Sequence, residues 1–225
     1  MKSKSYPLVV FDLDGTLADS ANHIAEATNA IRKVFGLERA PKSNLKRWFG
    51  KPPSMFFPEL LGPQNLAAVE EFRRLLSKTK ELVKPMPGSV EILTWLKNNN
   101  VDVAVATTKP TPLASEILSQ IELRHFVDHV QGSEGLRPKP SSDVFIKLQN
   151  SLTYVPDLKF SIGDRVSDMK ASLNAGYSST LLNSMLNEVM DEGFSLQYSI
   201  QYNRVRTLNS YKEFLSVKLQ ELDLR

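Results

Sequence analysis

The chain has 225 residues, 41% of them hydrophobic and 24% charged, a balance that fits a folded globular protein and excludes a disordered one. Lys and Arg number 28 against 25 Asp and Glu, giving a net charge of +3, and the basic residues are spread along the chain, which argues against nucleic acid as a partner. Cysteine is absent, which excludes disulfides and thiolate metal sites and leaves oxygen or imidazole to ligate any metal.

The first apolar run, Leu8 to Phe11, is too short for a signal-peptide core, and no run of about 18 apolar residues follows. The expectation is a cytoplasmic protein that does not contact membrane. That first run predicts a strand, and "DLDGT" follows it at once. Residues two apart on an extended chain point to the same side, so Asp12 and Asp14 are expected to share one face. Two carboxylates about 4 Å apart repel by on the order of 4 kcal/mol at an effective dielectric near 20. A cation or a shared proton must relieve that repulsion, and Gly15 lets the backbone approach a ligand closely.

From Asp19 to Lys84 no comparable strand is predicted, and Asn22 to Phe35, Pro53 to Leu61 and Pro63 to Lys80 have helical periodicity. Ala18 to Ser20 and "VKPMPGS" at Val83 to Ser89 read as hinges. The sequence therefore predicts a helical cap domain over residues 19–84, inserted into a core of residues 1–18 and 85–225. "KSNLKR", Lys42 to Arg47, is the densest basic patch and reads as a solvated helix face. Trp48, Phe49 and "MFF" at Met55 to Phe57 read as packing residues.

Beyond the second hinge, "VEILTWLKNNN" reads as a helix with Val90, Leu93 and Leu96 on its buried face and an asparagine cap. Strands follow at "VDVAVA" from Val101, "FVDHV" from Phe126, "LKFSI" from Leu158 and "STLL" from Ser179. Strands alternating with helices predict an α/β fold with a Rossmann-like parallel sheet flanked by helices. A helix is expected from Pro140 and another over Met169 to Ala175, capped by Gly176. Past Leu182, a short strand near Tyr198 and an amphipathic helix over Leu208 to Leu222 are predicted.

Ligands of open parallel sheets bind beyond the carboxyl ends of the strands. The residues there are Asp12 and Asp14, then Thr107, Thr108 and Lys109, then Asp164 and Asp168, with Lys139 within reach. Four carboxylates balanced by two lysines and a divalent cation make a phosphate a plausible guest. Mg²⁺ suits the set, because it takes oxygen ligands and shares carboxylates with phosphate oxygens. One of the first two aspartates is then placed to attack phosphorus and the other to protonate the leaving oxygen.

"DLDGT", "TTK" at Thr107 to Lys109, "KP" at Lys139 and "GDRVSD" at Gly163 to Asp168 resemble, in order, the motifs of the haloacid dehalogenase-like superfamily of phosphohydrolases. The resemblance implies Asp12 as nucleophile, Asp14 as general acid and base, and Thr107 and Lys139 as phosphate-holding groups. It implies a Mg²⁺ held by Asp12, the Asp14 carbonyl and Asp164, with support from Asp168. Gly15, Thr108 and Lys109 would border the substrate. "RWFGKP" resembles the cap loop that enters the site, which would bring Arg47 and Lys51 to the anionic part of the substrate. Thr108 stands where asparagine or serine is frequent, and Arg165 replaces a small residue. The layout resembles phosphoglycolate phosphatases, implying a small phosphorylated metabolite as substrate for a monomer or homodimer. A nucleotidase, a pyrophosphatase, a sugar phosphomutase and a catalytically silent binding module are the competing readings. The histidines, His23, His125 and His129, do not cluster in sequence, and His23 is expected at the surface or between helices rather than facing the cleft.

Overall fold

A computed structural model describes residues 7–61, 66–156, 158–182 and 205–208. Strand β1 (Leu8–Phe11) is followed by the two-residue strand β2 (Ala18–Asp19) and helices α1 (Ala21–Val34), α2 (Lys42–Leu45), α3 (Pro53–Leu61) and α4 (Leu66–Lys78). Then come β3 (Lys84–Pro85), α5 (Ser89–Asn98), β4 (Asp102–Ala106), α6 (Thr111–Gln120), β5 (His129–Gln131) and α7 (Asp143–Ser151). The series ends with β6 (Lys159–Gly163), α8 (Val166–Asn174), β7 (Ser178–Leu182) and β8 (Val205–Leu208).

Six strands form one sheet in the order β5-β4-β1-β6-β7-β8, and each neighbouring pair is parallel. The predicted α/β class is the observed one. Both faces of the sheet are covered, which explains why β1 is apolar throughout and β4 is apolar after its first residue, Asp102. Val9, Phe11, Val103 and Val105 join a large core with Ile92, Leu93 and Ile117, whereas Leu8, Val10, Ala104 and Ala106 pack against Val144, Phe145 and Leu148 on the other side. From β1 the chain moves outward to β4 and β5, then crosses back to β6 on the opposite flank of β1. That reversal opens a crevice at the carboxyl ends of β4, β1 and β6.

β2 pairs antiparallel with β3, Ala18 opposite Pro85 and Asp19 opposite Lys84, so the chain leaves and rejoins the sheet region at one point. The helices between them pack round Phe56, Phe57 and Phe72, whose rings meet at centroid distances of 4.4 to 5.6 Å. These residues continue the large core of the sheet. Met55, the first residue of "MFF", is by contrast 51% exposed.

Several local expectations need correction. On α5, Leu93 and Leu96 are buried as expected, but Ile92 joins them in place of Val90, which is 44% exposed. Asn100 takes a left-handed φ of 55°, as the asparagine run suggested. The helix expected from Pro140 begins at Asp143, and "FVDHV" is extended only from His129, because Arg124 to Phe126 form a 3₁₀ turn. Strand β8 was not anticipated. The strand proposed near Tyr198 and the helix to Leu222 lie outside the described residues, except Leu208, which ends β8. Among the described residues no helix is long and apolar enough to cross a membrane.

Candidate active site

The ladder continues one residue past the strand ends: Asp12 N–H donates to the Ile162 carbonyl at 2.8 Å, and Thr107 N–H to that of Gln131 at 3.0 Å. These bonds fix the backbone from which the polar side chains project. Asp12, Asp14, Thr107, Lys109, Lys139, Asp164 and Asp168 are all buried.

Lys139 organises one half of the site. Its Nζ donates to Asp12 Oδ1 at 2.8 Å, to Asp168 Oδ1 at 2.7 Å and to the Ala106 carbonyl at 2.7 Å. An ammonium has three protons, and these acceptors engage all three. The resemblance casts Lys139 as a phosphate-holding group; the geometry makes it first of all the group that orients Asp12. Burial opposes its charge, but Asp12 and Asp168 outweigh burial and hold its pKa above the usual lysine range.

Asp12, Asp164 and Asp168 bring one carboxylate oxygen each to within 4.8 Å of one another. Asp168 is placed by the start of α8, where its Oδ2 accepts from the Arg165 N–H at 3.1 Å. Gly163 makes room for it, since a Cβ there would lie 2.5 Å from Asp168 Cβ. Burial pushes the Asp12 carboxyl up to about 7, against the pull of Lys139 and with repulsion from Asp168 and Asp14 adding to it. Asp164 is raised well above the usual range, again by burial first and then by Asp168 and Asp12. A buried all-oxygen cluster whose members resist ionising together fits a hard divalent cation, which would stabilise the ionised set.

Asp14 belongs to a separate half. Its carboxylate accepts from Ser20 Oγ at 2.5 Å and pairs with Lys109 Nζ at 2.5 Å, so its side chain stands apart from the three-carboxylate cluster. Burial alone would raise its pKa, yet Lys109 and Ser20 lower it. The repulsion anticipated between Asp12 and Asp14 is thus met by two lysines, one for each carboxylate. A lysine beside a threonine and before a proline is an ordinary solvated residue in sequence; here Lys109 is 6% exposed. Thr107 Oγ1 accepts from the Lys109 N–H at 3.3 Å and helps to set that loop. Gly15, with φ of 78°, turns the chain so that its N–H reaches the Ala18 carbonyl at 2.8 Å.

A cavity of about 300 Å³ opens beside Asp14, Thr108 and Lys109, and Lys51, Trp48 and Phe72 from the helical segment form its opposite wall. Lys51 thus borders this cavity. Arg47 does not: its guanidinium lies over the Trp48 ring at 4.2 Å, in an outer hollow with Arg32 and Asn44. A stacked pair is favourable for an arginine near an aromatic face, and that pairing turns Arg47 away. The cation on the cavity wall that the sequence did not reveal is Arg73, on α4. Its position follows from packing, because Ala68, Val69, Phe72 and Leu76 form the buried stripe of the helix and Arg73 follows Phe72. Ser20 was also missed as a site residue; only its spacing from Asp14 could have suggested it. His23 sits between helices, its Nε2 2.7 Å from the Leu76 carbonyl, and burial lowers its pKa, with Lys109 adding to the effect.

Residues 9–182 match the family model of haloacid dehalogenase-like hydrolases. A phosphoglycolate phosphatase of Aquifex aeolicus is 30% identical over 172 residues, which are 75% of this chain and 81% of that protein. Phosphoglycolate phosphatase 1 of Pseudomonas aeruginosa is 27% identical over 182 residues, 75% of this chain, and this chain spans about two thirds (66%) of its length. The crystal structure of a protein titled a predicted phosphatase, from Clostridium acetobutylicum, superposes with a TM-score of 0.81 at 26% identity, covering 96% of this chain and 100% of that one. The chain belongs to the haloacid dehalogenase-like hydrolase family.

Proposed function

We propose that this protein is a Mg²⁺-dependent phosphatase that hydrolyses a small phosphomonoester through an aspartyl-phosphate on Asp12. The observation that carries the reading is the Lys139 ammonium drawing Asp12 and Asp168 together beside Asp164, while Asp14 is held apart by Ser20 and Lys109. The shifts of the metal-free site run against the roles of nucleophile and acid, Asp12 being raised and Asp14 lowered, so a cation beside Asp12 would be needed to keep it ionised and release of Asp14 by Lys109 would be needed to let it hold a proton. Asp12, Asp164 and Asp168, with the Asp14 carbonyl, would hold the ion. A divalent cation there would neutralise the carboxylates and polarise a phosphoryl oxygen.

When Lys109 turns its ammonium to a phosphoryl oxygen, Asp14 loses the partner that keeps it ionised and takes up a proton. Asp12 then forms the new bond to phosphorus as the bond from phosphorus to the leaving oxygen breaks, and Asp14 gives that oxygen its proton. Asp14 then takes a proton from water, whose oxygen attacks the aspartyl-phosphate and releases inorganic phosphate with Asp12 restored. Lys109 supports both steps by offering its ammonium either to Asp14 or to a phosphoryl oxygen. Thr107 keeps the loop that carries Lys109 in place. Residues 19–84 act as a cap that bounds the cavity and excludes water from the reaction, and residues 1–18 and 85–225 act as the catalytic core.

Phosphoglycolate is the first substrate to test, because curated relatives carry that name. A small phosphorylated metabolite and a cytoplasmic setting complete the reading. Purified protein with Mg²⁺ should release inorganic phosphate from phosphoglycolate or another member of a panel of nucleotide, sugar and small organic phosphates. Acid quenching should trap a phosphoryl adduct on the peptide that contains Asp12. Release of phosphate without any such adduct would overturn the covalent route, and no release from the whole panel would overturn the enzyme reading.

A further inference from the structure

Thr108 and Arg165 are the two positions at which the strand-end loops depart from the family pattern, and both meet one residue of the helical segment, Gly50. The stem of Arg165 lies against the Gly50 backbone: a Cβ built at Gly50 would stand 2.6 Å from Arg165 Nε and 2.8 Å from its Cδ. Thr108 Oγ1 stands 3.5 Å from the Gly50 carbonyl, long for a hydroxyl bond but in contact range. Gly50 itself has φ of +75°, a conformation that side chains other than glycine seldom take.

Each partner is anchored where the reaction would occur. The Arg165 main chain closes the first turn of α8, accepting from the Asp168 N–H at 3.0 Å, and Arg165 follows Asp164 directly. Despite its charge Arg165 is only 8% exposed, so its side chain is committed to this contact region rather than to solvent. Thr108 lies between Thr107 and Lys109, and its carbonyl accepts from Ser133 Oγ at 2.7 Å. On the other side, the neighbours Trp48 and Lys51 of Gly50 line the cavity with it.

We propose that Arg165 and Thr108 form a seat for the Gly50 turn, and that this seat fixes the turn over the cavity so that substrate is held against Asp12 and Asp14. Both are positioning residues. The glycine follows from the arginine: the larger residue on the core fills the volume that a side chain on the turn would need. The kinetic arm and the phosphate titration rest on the phosphatase reading, and the stability cycle does not.

The experiment compares Gly50→Ala, Arg165→Ala, Arg165→Lys and the double variant Gly50→Ala/Arg165→Ala. A Trp95→Phe background leaves Trp48, two residues before Gly50, as the single tryptophan. Its fluorescence is titrated with inorganic phosphate in Mg²⁺, thermal stability is measured for the double-mutant cycle, and kcat and KM are measured in parallel. Arg165→Ala and Gly50→Ala should each raise KM about tenfold with a smaller loss in kcat, and each should blunt the phosphate response of Trp48. Arg165→Lys should restore part of both. The double variant should be no worse than Gly50→Ala, since the atoms its methyl group meets are gone. Independent, additive effects of the two substitutions on thermal stability would overturn the seat. Absence of turnover, or a Trp48 signal that ignores phosphate, in the parent protein would count against the phosphatase reading alone, because the stability cycle still decides the seat.

Discussion

The strand-end rim and the helical segment that faces it are built on opposite physical terms. The rim buries charge: two lysines and four aspartates are withdrawn from water and satisfied mainly by one another. The helical segment buries rings, with Phe56, Phe57 and Phe72 in edge and tilted contacts. Buried ion pairs add little net stability over apolar residues, whereas aromatic burial adds a great deal. The rim is therefore arranged for chemistry at some cost in stability, and the helices supply the packing that keeps it enclosed. Substitutions on the two sides should separate activity from stability.

The largest effect on activity is expected at Asp12. Asp12→Asn keeps an oxygen that accepts from Lys139 and removes the charge needed for attack. Turnover should fall by roughly 10³-fold or more, with the melting temperature within a few degrees of the parent. Steady-state phosphate release and a thermal melt on the same sample check both halves. An unchanged rate would remove Asp12 from the role of nucleophile.

Lys139→Met and Phe72→Ala set the two regions directly against each other. Lys139→Met leaves Asp12 and Asp168 buried without their ammonium, a loss of about 3–5 kcal/mol, together with most of the activity. Phe72→Ala opens a cavity in the aromatic cluster and should cost about 3–5 kcal/mol as well, while retaining much more of kcat. Urea unfolding beside kinetics distinguishes them. Equal losses of kcat in the two variants would erase the contrast between rim and helices.

The rim was far more legible in sequence than the wall that faces it. Asp12, Asp14, Lys139, Asp164 and Asp168 are polar residues directly after apolar runs, and a parallel sheet brings such positions to one edge by its topology alone. Arg47 and Arg73 show where that logic stops. Which cation of a helical segment borders a cavity depends on how the helices pack, and in this chain Arg47 lies over the Trp48 ring while Arg73, itself exposed, borders the cavity beside the buried Phe72. Lys109 was legible as one of the two balancing lysines, but nothing in "TTKP" reveals that its particular partner is a carboxylate 95 residues earlier. Helix starts shifted where a proline preceded the first turn, as at Pro140, because the residues after it form turns before the helix is established.

The next effect is smaller and is read in pH. Asp12 and Asp164 have raised pKa values in the folded, metal-free protein, so the folded state holds protons that the unfolded state releases from about pH 4 upward. Their contribution is fully present below the unfolded values and is lost as pH rises through about 7 for Asp12. Protein treated with EDTA should therefore lose several degrees of melting temperature between about pH 4 and 7. Mg²⁺ should restore more at pH 8 than at pH 4.5, since it binds the ionised carboxylates. A melting temperature that is indifferent to Mg²⁺ across this range would argue against Asp12, Asp164 and Asp168 as its ligands.

Ser20 lies on the seam between the two regions, after β2 and before α1, and it should give the smallest change. Its hydroxyl donates to the Asp14 carboxylate, and its removal leaves Lys109 as the remaining strong partner. A hydrogen bond to the charged form lowers a carboxyl pKa, so Ser20→Ala should raise that of Asp14 toward its ordinary value. The Asp14 contribution is present above the unfolded value and lost on acidification, so the variant should be less stable at pH 7 by about 1–2 kcal/mol. That difference should shrink as the pH falls below about 4, where Asp14 of the unfolded chain is protonated. A pH profile of kcat/KM completes the measurement. If the Asp14 proton is the one given to the leaving oxygen, the limb that reports it should move to higher pH in Ser20→Ala, and a limb that stays in place would assign that proton to another group.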